Sequence, residues 1–239
     1  MEKDGILTME VGSNRLQQAA QGALAISPLS IAVVPWGILA GSFAVDVGLN
    51  PLEGQAMSAI LFAGAAQLVA MGMIKTGASL FSMLVAIFFV TSRHFLYGLA
   101  MRDRISPLNV RWRVVLGFLL TDELFAVCAN QDKARFDPWY ALGAGLSFYL
   151  IWNAATFAGI VAGTNIPSLN EYGLEFAIAS TFIAIVIPTL KNVPMLCAAL
   201  VALILSVMMS YFGIESGLVI ASLGGMLTGY LLETRRVQP

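Results

Sequence analysis

The chain has 239 residues, 58% of them hydrophobic and only 11% charged, with a net charge of −1 and a mean hydropathy of +0.81. A soluble domain carries about 25% charged residues, so this composition defines a polytopic membrane protein and excludes a soluble catalytic domain of any size. Nor does any basic patch suggest nucleic acid, and the two cysteines, Cys128 and Cys197, lie in apolar runs and read as small core residues, not as a disulfide or metal pair.

Residues 1–21 form a polar N-terminal segment in which 13–25 reads as an interfacial helix, and nothing there resembles a cleavable signal. The first span is expected over 27–48. It holds Pro35, Trp36, Gly37 and Gly41, which suit either a kinked, closely packed helix or a broken helix lining a pathway. Asn50-Pro51 turns the chain into a second span over 54–74. Its FAGAAQ stretch, Phe62 to Gln67, joins a smooth face at Gly64 and Ala65 to one intramembrane amide, Gln67. That amide is either helix–helix glue or a substrate contact.

The third span, 78–101, carries Arg93, His94 and Tyr97, and the fourth, 114–130, carries Asp122 and Glu123. A fifth span over 139–162 has Trp152 and Asn153 at its centre. A sixth over 174–190 ends in Pro188, and the last two cover 194–212 and 216–232. The sixth and eighth are short, so seven crossings stay open beside eight.

The charges of the third and fourth spans are the least expected feature. Arg93 precedes Arg102 by nine residues and Asp122 follows Arg113 by nine. In an antiparallel hairpin each then lies ~13 Å deep, near the middle of a ~30 Å hydrocarbon core. An arginine there costs at least ~2.5–3.5 kcal/mol unless paired or hydrated. An Arg93–Asp122 pair either holds helices together or forms a transport site that gates or couples export, with Arg93 a cation for a substrate carboxylate or Asp122 a carboxylate that takes and releases a proton. Asp122 and Glu123 are ~100° apart on a helix, so only one can face Arg93. Tyr97, one turn past Arg93, is placed to stack on the guanidinium or cap it. His94 is the only histidine. It suits a proton relay or a hydrogen-bonded packing role, and cannot build a histidine metal site alone.

An internal repeat is also visible. At an offset of 116 residues Trp36 matches Trp152, Pro51 matches Pro167 and Lys75 matches Lys191, each pair at an equivalent place in a span or loop. This suggests two related halves, 27–130 and 139–232, within a single transmembrane domain over 1–239. The positive-inside rule leaves the orientation undecided, because the larger total of basic residues and the densest single loop favour opposite sides.

No nucleophile elbow, zinc-protease helix, P-loop or dinucleotide fingerprint is present, so neither enzyme activity nor a cofactor is expected. Three blocks, FAGAAQLV at 62–69, SRHFLYGLAMRDR at 92–104 and LTDELFAV at 120–127, together resemble the AzlC/YgaZ/BrnF family. The first span VVPWGILAGSFAVDVGL is similar as well, and the resemblance runs from about residue 31 to 232. It implies the large subunit of a secondary exporter of branched-chain amino acids (L-valine, leucine, isoleucine, often methionine) in the bacterial cytoplasmic membrane. It also implies a small membrane subunit of the AzlD/YgaH/BrnE type, with a higher oligomer of that heterodimer left open.

The expected fold is therefore an all-α polytopic membrane protein of about eight spans, with a two-fold repeat and broken helices. Pro35, Trp36, Phe62, Gly64, Ala65, Gln67, Asn153 and Pro188 are the candidate substrate or gating residues. Backbone broken near Pro35 and Pro188 would offer amides and carbonyls to a zwitterion. Arg93, His94, Tyr97, Asp122 and Glu123 are the candidate coupling network. The rival readings are a scaffold subunit whose partner forms the pathway, and an intramembrane enzyme using Asp122 and His94.

Overall fold

The computed structural model describes residues 2–129, 136–165, 190–214 and 217–237, together with positions 183 and 187; side chains are described over 14–235 within those limits. Every element among them is helical: α1 (Glu2–Asp46), α2 (Pro51–Leu61), α3 (Gly64–Lys75), α4 (Leu80–Ala100), α5 (Arg102–Ile105), α6 (Val110–Phe118), α7 (Asp122–Ala129), α8 (Pro138–Asn165), α9 (Val193–Tyr211) and α10 (Gly217–Val237). Five stretches are long and apolar enough to cross a membrane: Asn14–Asp46 of α1, all of α4, α8 and α9, and Gly217–Arg235 of α10. The expected sixth span, with Pro188, lies outside the described residues apart from positions 183, 187 and 190.

Two compact units divide the chain, one formed by Met1–Leu68 with Thr91–Ile166 and the other by Val69–Val90 with Pro167–Pro239. They interleave in sequence, so each draws on both of the expected halves.

In the first unit α1 lies along α8, and the two run parallel. Gly22 meets Tyr140 and Ala144 near the start of the seam; Gly37 meets Ala155, and Gly41 meets Thr156 and Ile160, further on. The approach is reciprocal, since Gly143 rests on Ala19 and Gly159 on Ile38. A methyl group on Gly41 or Gly159 would collide with the facing backbone carbonyl, so glycine is what lets the two backbones touch.

This seam explains why α1 does not break where a break was considered. The helix passes through Pro28 and Pro35 without interruption. Pro28 cannot donate to the Leu24 carbonyl, and the Ser27 hydroxyl donates to it instead, at 2.8 Å. Of the two readings of the first span, the packed helix is the one found. Nor is the segment over 13–25 a separate interfacial helix; it is continuous with α1.

Capping sets the starts of several helices. Asn50 and Glu53 form a reciprocal capping box on α2, at 2.9 and 2.8 Å, with Pro51 in the first turn. Asn109 and Asn192 cap α6 and α9 with the side chain alone, accepting from the Trp112 and Met195 amides at 3.1 and 2.9 Å. At the far end of α7 an Arg104 Nη2 donates to the Ala129 carbonyl at 2.9 Å, satisfying a terminal acceptor.

In the second unit α9 and α10 form an antiparallel pair. Gly217 meets Met209, Gly224 meets Leu205, and Gly229 meets Ala198. Gly213, with φ of 67°, makes the turn at the end of α9. The outer faces stay apolar and exposed, as at Leu203, Val207, Leu227 and Tyr230, which suits a helix pair bathed in lipid.

Candidate functional site

The second and fourth expected spans are each broken in two, and both breaks belong to the first unit. The α2 helix stops at Phe62, whose φ of 40° and ψ of 45° put a phenylalanine in the left-handed region. That conformation costs roughly 1–2 kcal/mol for a residue with a Cβ. The α3 helix restarts at Gly64. Likewise α6 stops at Phe118 and α7 restarts at Asp122. The lengths of α2 and α6 at 1.5 Å per residue place the breaks ~16 and ~13 Å beyond their capped starts. Both distances are about half the thickness of a ~30 Å hydrocarbon core.

The breaks touch each other. Phe62 stacks on Phe118 with centroids 6.0 Å apart, and its edge meets Tyr149 of α8 at 4.9 Å. Phe148 at 6.2 Å from Phe62 and the Phe118–Tyr149 pair at 5.6 Å complete the cluster. Aromatic pairs contribute ~0.5–1.5 kcal/mol each beyond their area; Phe62 and Phe148 are buried here, Tyr149 is half-buried and Phe118 is exposed. Several such pairs offset the strain at Phe62. A broken helix also leaves carbonyls unpaired. The Tyr149 hydroxyl donates to one of them, Ala59 O at the end of α2, at 3.0 Å.

Charge gathers at the second break. Arg93 of α4 places Nη1 2.6 Å from Asp122 Oδ2, and His94 Nε2 lies 4.0 Å from the other carboxylate oxygen. Asp122 and Glu123 open the first turn of α7, where the helix dipole favours anions. Thr121 caps that turn, its Oγ1 accepting from the Leu124 amide at 3.4 Å. The side chains of Arg93 and Asp122 are 42% and 36% exposed, so the pair is not sealed inside this unit, and Arg93 Nε has no hydrogen-bond partner among the described residues. Tyr97 does not stack on the guanidinium. Its ring lies on Phe125, with centroids 4.6 Å apart, and meets His94 edge-on.

Behind the first break α2, α3 and α8 share a buried polar patch. Gln67 Nε2 donates to Ser58 Oγ at 2.9 Å, and that hydroxyl shares a hydrogen bond with Thr156 Oγ1 at 2.9 Å. Gln55 Nε2 donates to Asn153 Oδ1, also at 2.9 Å. Three polar atoms of this patch, Gln55 Oε1, Gln67 Oε1 and Trp152 Nε1, are buried with no hydrogen-bond partner among the described residues. Each such atom costs ~1–3 kcal/mol if left bare.

The expected substrate residues therefore separate. Phe62, Gly64, Ala65, Gln67 and Asn153 gather at or behind the first break. Pro35 is exposed on α1 and Trp36 is half-buried there. Sequence reasoning passed over Gln55, Ser58, Phe118, Tyr149 and Thr156. Their signal lay in spacing: Gln55 and Ser58 are one turn apart on α2, and Trp152 and Thr156 one turn apart on α8. It also missed the second break, although Thr121-Asp122-Glu123 is a helix-start signature inside an apolar run.

A multi-pass helical membrane protein with two interrupted helices that meet at their breaks defines the class of the molecule. The family model described as "AzlC protein" matches residues 28–166, and the chain belongs to the AzlC family. It is 29% identical over 214 residues to the "Inner membrane protein YgaZ" of Escherichia coli K12, covering 85% of this chain and 84% of that one. An uncharacterized membrane protein of Archaeoglobus fulgidus is 31% identical over 168 residues, 69% of this chain and 73% of its own. The "Branched-chain amino acid transport protein AzlC" of Bacillus subtilis is 29% identical over 157 residues, 63% of this chain and 59% of its own. No solved structure matches.

Proposed function

We propose that this chain is the large subunit of a secondary exporter of branched-chain amino acids. It carries L-valine, leucine and isoleucine, with methionine, outward across the bacterial inner membrane. It is coupled to protons and works with a small AzlD/YgaH/BrnE-type membrane subunit. The names of the Bacillus subtilis and Escherichia coli relatives support the substrate and the membrane. The observation that carries the reading is the contact of Phe62 with Phe118, which joins the two helix breaks. Interrupted helices expose backbone dipoles in the middle of a membrane, where a zwitterion needs them. The aromatic cluster beside them suits an aliphatic side chain.

The Arg93–Asp122 pair is the coupling element. Protonation of Asp122 removes the attraction to Arg93 and frees α4 from the start of α7; loss of the proton restores it. Eight crossings in two related halves complete the topology, and the parallel run of α1 and α8 is compatible with it.

Efflux of labelled L-valine from proteoliposomes tests the reading, with this chain alone, the small subunit alone, and both. Efflux driven by a pH gradient that needs this chain, and that falls in Arg93→Ala and Asp122→Asn, is the expected result. Wild-type rates in both variants remove the coupling role. Efflux by the small subunit alone makes this chain a scaffold, and a covalently altered valine makes it an enzyme.

A further inference from the structure

The polar patch behind the first break has an organisation that helix packing does not require. Each of its two glutamines is held by one end only. Gln67 is 1% exposed; its amide nitrogen is fixed by Ser58, whose hydroxyl is in turn fixed by Thr156, while its carbonyl oxygen is unpartnered among the described residues. Gln55 repeats the pattern: Asn153 takes its nitrogen, and its oxygen is buried and unpartnered. Most buried polar atoms in proteins have a hydrogen-bond partner, and these two oxygens have none among the described residues. Here two neutral oxygens are oriented and left available.

Trp152, 3% exposed, adds an unpartnered N–H donor. Its ring lies against Gly64, the first residue of α3: a Cβ there would sit 2.8 Å from Cη2 and 3.3 Å from Cζ2. Glycine therefore brings the indole onto the start of a half-helix, whose first-turn amides lack intrahelical acceptors. Three helices present these groups to one another. Gln55 and Ser58 share a face of α2, Gly64 and Gln67 share a face of α3, and Trp152 and Thr156 share a face of α8, with Asn153 ~100° around the helix from Trp152, where it meets Gln55.

Two acceptors without charge, a buried indole N–H and, against the other edge of that ring, a helix N-terminus match the two ends of one ligand. An ammonium has three N–H donors and no acceptor, and a carboxylate has acceptors alone. We infer that this patch is the site for the α-amino and α-carboxylate groups of the transported amino acid. Gln67 Oε1 and Gln55 Oε1 accept from the ammonium. Trp152 Nε1 and the first-turn amides of α3 donate to the carboxylate. The aliphatic side chain then extends toward Phe62 and Tyr149. The assignment rests on the transport reading above and deepens it.

The test uses the full chain reconstituted with its small subunit, L-valine as substrate and two truncated analogues as inhibitors. 3-Methylbutanoate lacks the ammonium, and 2-methylpropan-1-amine lacks the carboxylate. Gln67→Leu should raise the KM for valine at least about tenfold, a loss of ~1.4 kcal/mol, and leave inhibition by 3-methylbutanoate unchanged. Trp152→Phe should raise the valine KM and leave inhibition by 2-methylpropan-1-amine unchanged. If Gln67→Leu does not assemble, Gln55→Met removes the second oxygen and should show the same split. Equal weakening of valine and both analogues would make these residues structural and overturn the assignment. So would a wild-type KM in all the variants, which would leave the transport reading intact. A wild-type protein that moves no valine would remove both.

Discussion

Arg93 on α4 holds Asp122, the residue that opens α7, at 2.6 Å, and leaves the adjacent Glu123 aside. The choice follows from position. Asp122 directly follows the capping Thr121 at the break, and its neighbour faces ~100° away around the helix. The ion pair thus fastens a continuous helix to the loose end of an interrupted one.

That arrangement predicts an asymmetry between folding and turnover. The exchange Arg93→Asp with Asp122→Arg keeps the attraction but places a cation at a helix N-terminus, which the dipole disfavours by ~0.3–1 kcal/mol. The exchanged protein should still assemble, as judged by a monodisperse elution profile, and should lose pH-driven valine efflux by at least about tenfold, equivalent to ~1.4 kcal/mol in barrier. Efflux with an unchanged pH dependence in the exchanged protein would show that the pair is only a fastening.

Phe62 should invert an ordinary helix ranking. Inside a helix glycine is ~1 kcal/mol worse than alanine. At a left-handed φ of 40° the order reverses, because glycine escapes a strain of roughly 1–2 kcal/mol that alanine retains. Both substitutions lose the aromatic cluster, a loss of ~3–5 kcal/mol. Thermal unfolding in detergent should therefore rank wild type above Phe62→Gly, and Phe62→Gly above Phe62→Ala. An alanine variant that melts above the glycine variant would place Phe62 in regular helix.

The seam between α1 and α8 should tolerate almost no added volume. Gly41→Val puts side-chain carbon onto the Thr156 backbone and should abolish a folded, monodisperse protein. Gly98, on α4, has nothing within 4 Å of an added Cβ. Gly98→Ala should be neutral or stabilising by up to ~1 kcal/mol. Comparable losses from the two substitutions, measured as fluorescence-detected elution, would contradict close backbone contact along the seam.

Long apolar helices were legible because their length and hydropathy leave little alternative, and α4, α8 and α9 fall within a few residues of their expected bounds. Asn50-Pro51 was legible for a local reason, since the capping box is written in four consecutive residues. The break at Phe62 was not. Leu61, Ala63, Ala65 and Ala66 are good helix formers, and the interruption is imposed by aromatic residues distant in sequence, Phe118, Phe148 and Tyr149. At Pro35 both a break and a packed helix were open, and close packing of Gly37 and Gly41 on α8 goes with an unbroken helix. The Arg93–Asp122 pairing followed from depth alone, because an unpaired charge in the hydrocarbon has few options. The polar patch stayed hidden for the opposite reason. Gln55, Ser58 and Thr156 are uncharged and individually ordinary, and only their convergence distinguishes them.

The parallel seam also has a bearing on sidedness. Two membrane-crossing helices that climb together must discharge the chain onto the same aqueous face, so the turn after Asp46 and the end of α8 share a compartment. Leu52, exposed just beyond that turn, and Asn165, exposed at the end of α8, are suitable reporters. With Cys128 and Cys197 replaced by alanine, Leu52→Cys and Asn165→Cys should both react with a membrane-impermeant maleimide added to one side, and neither to the same reagent supplied from the other.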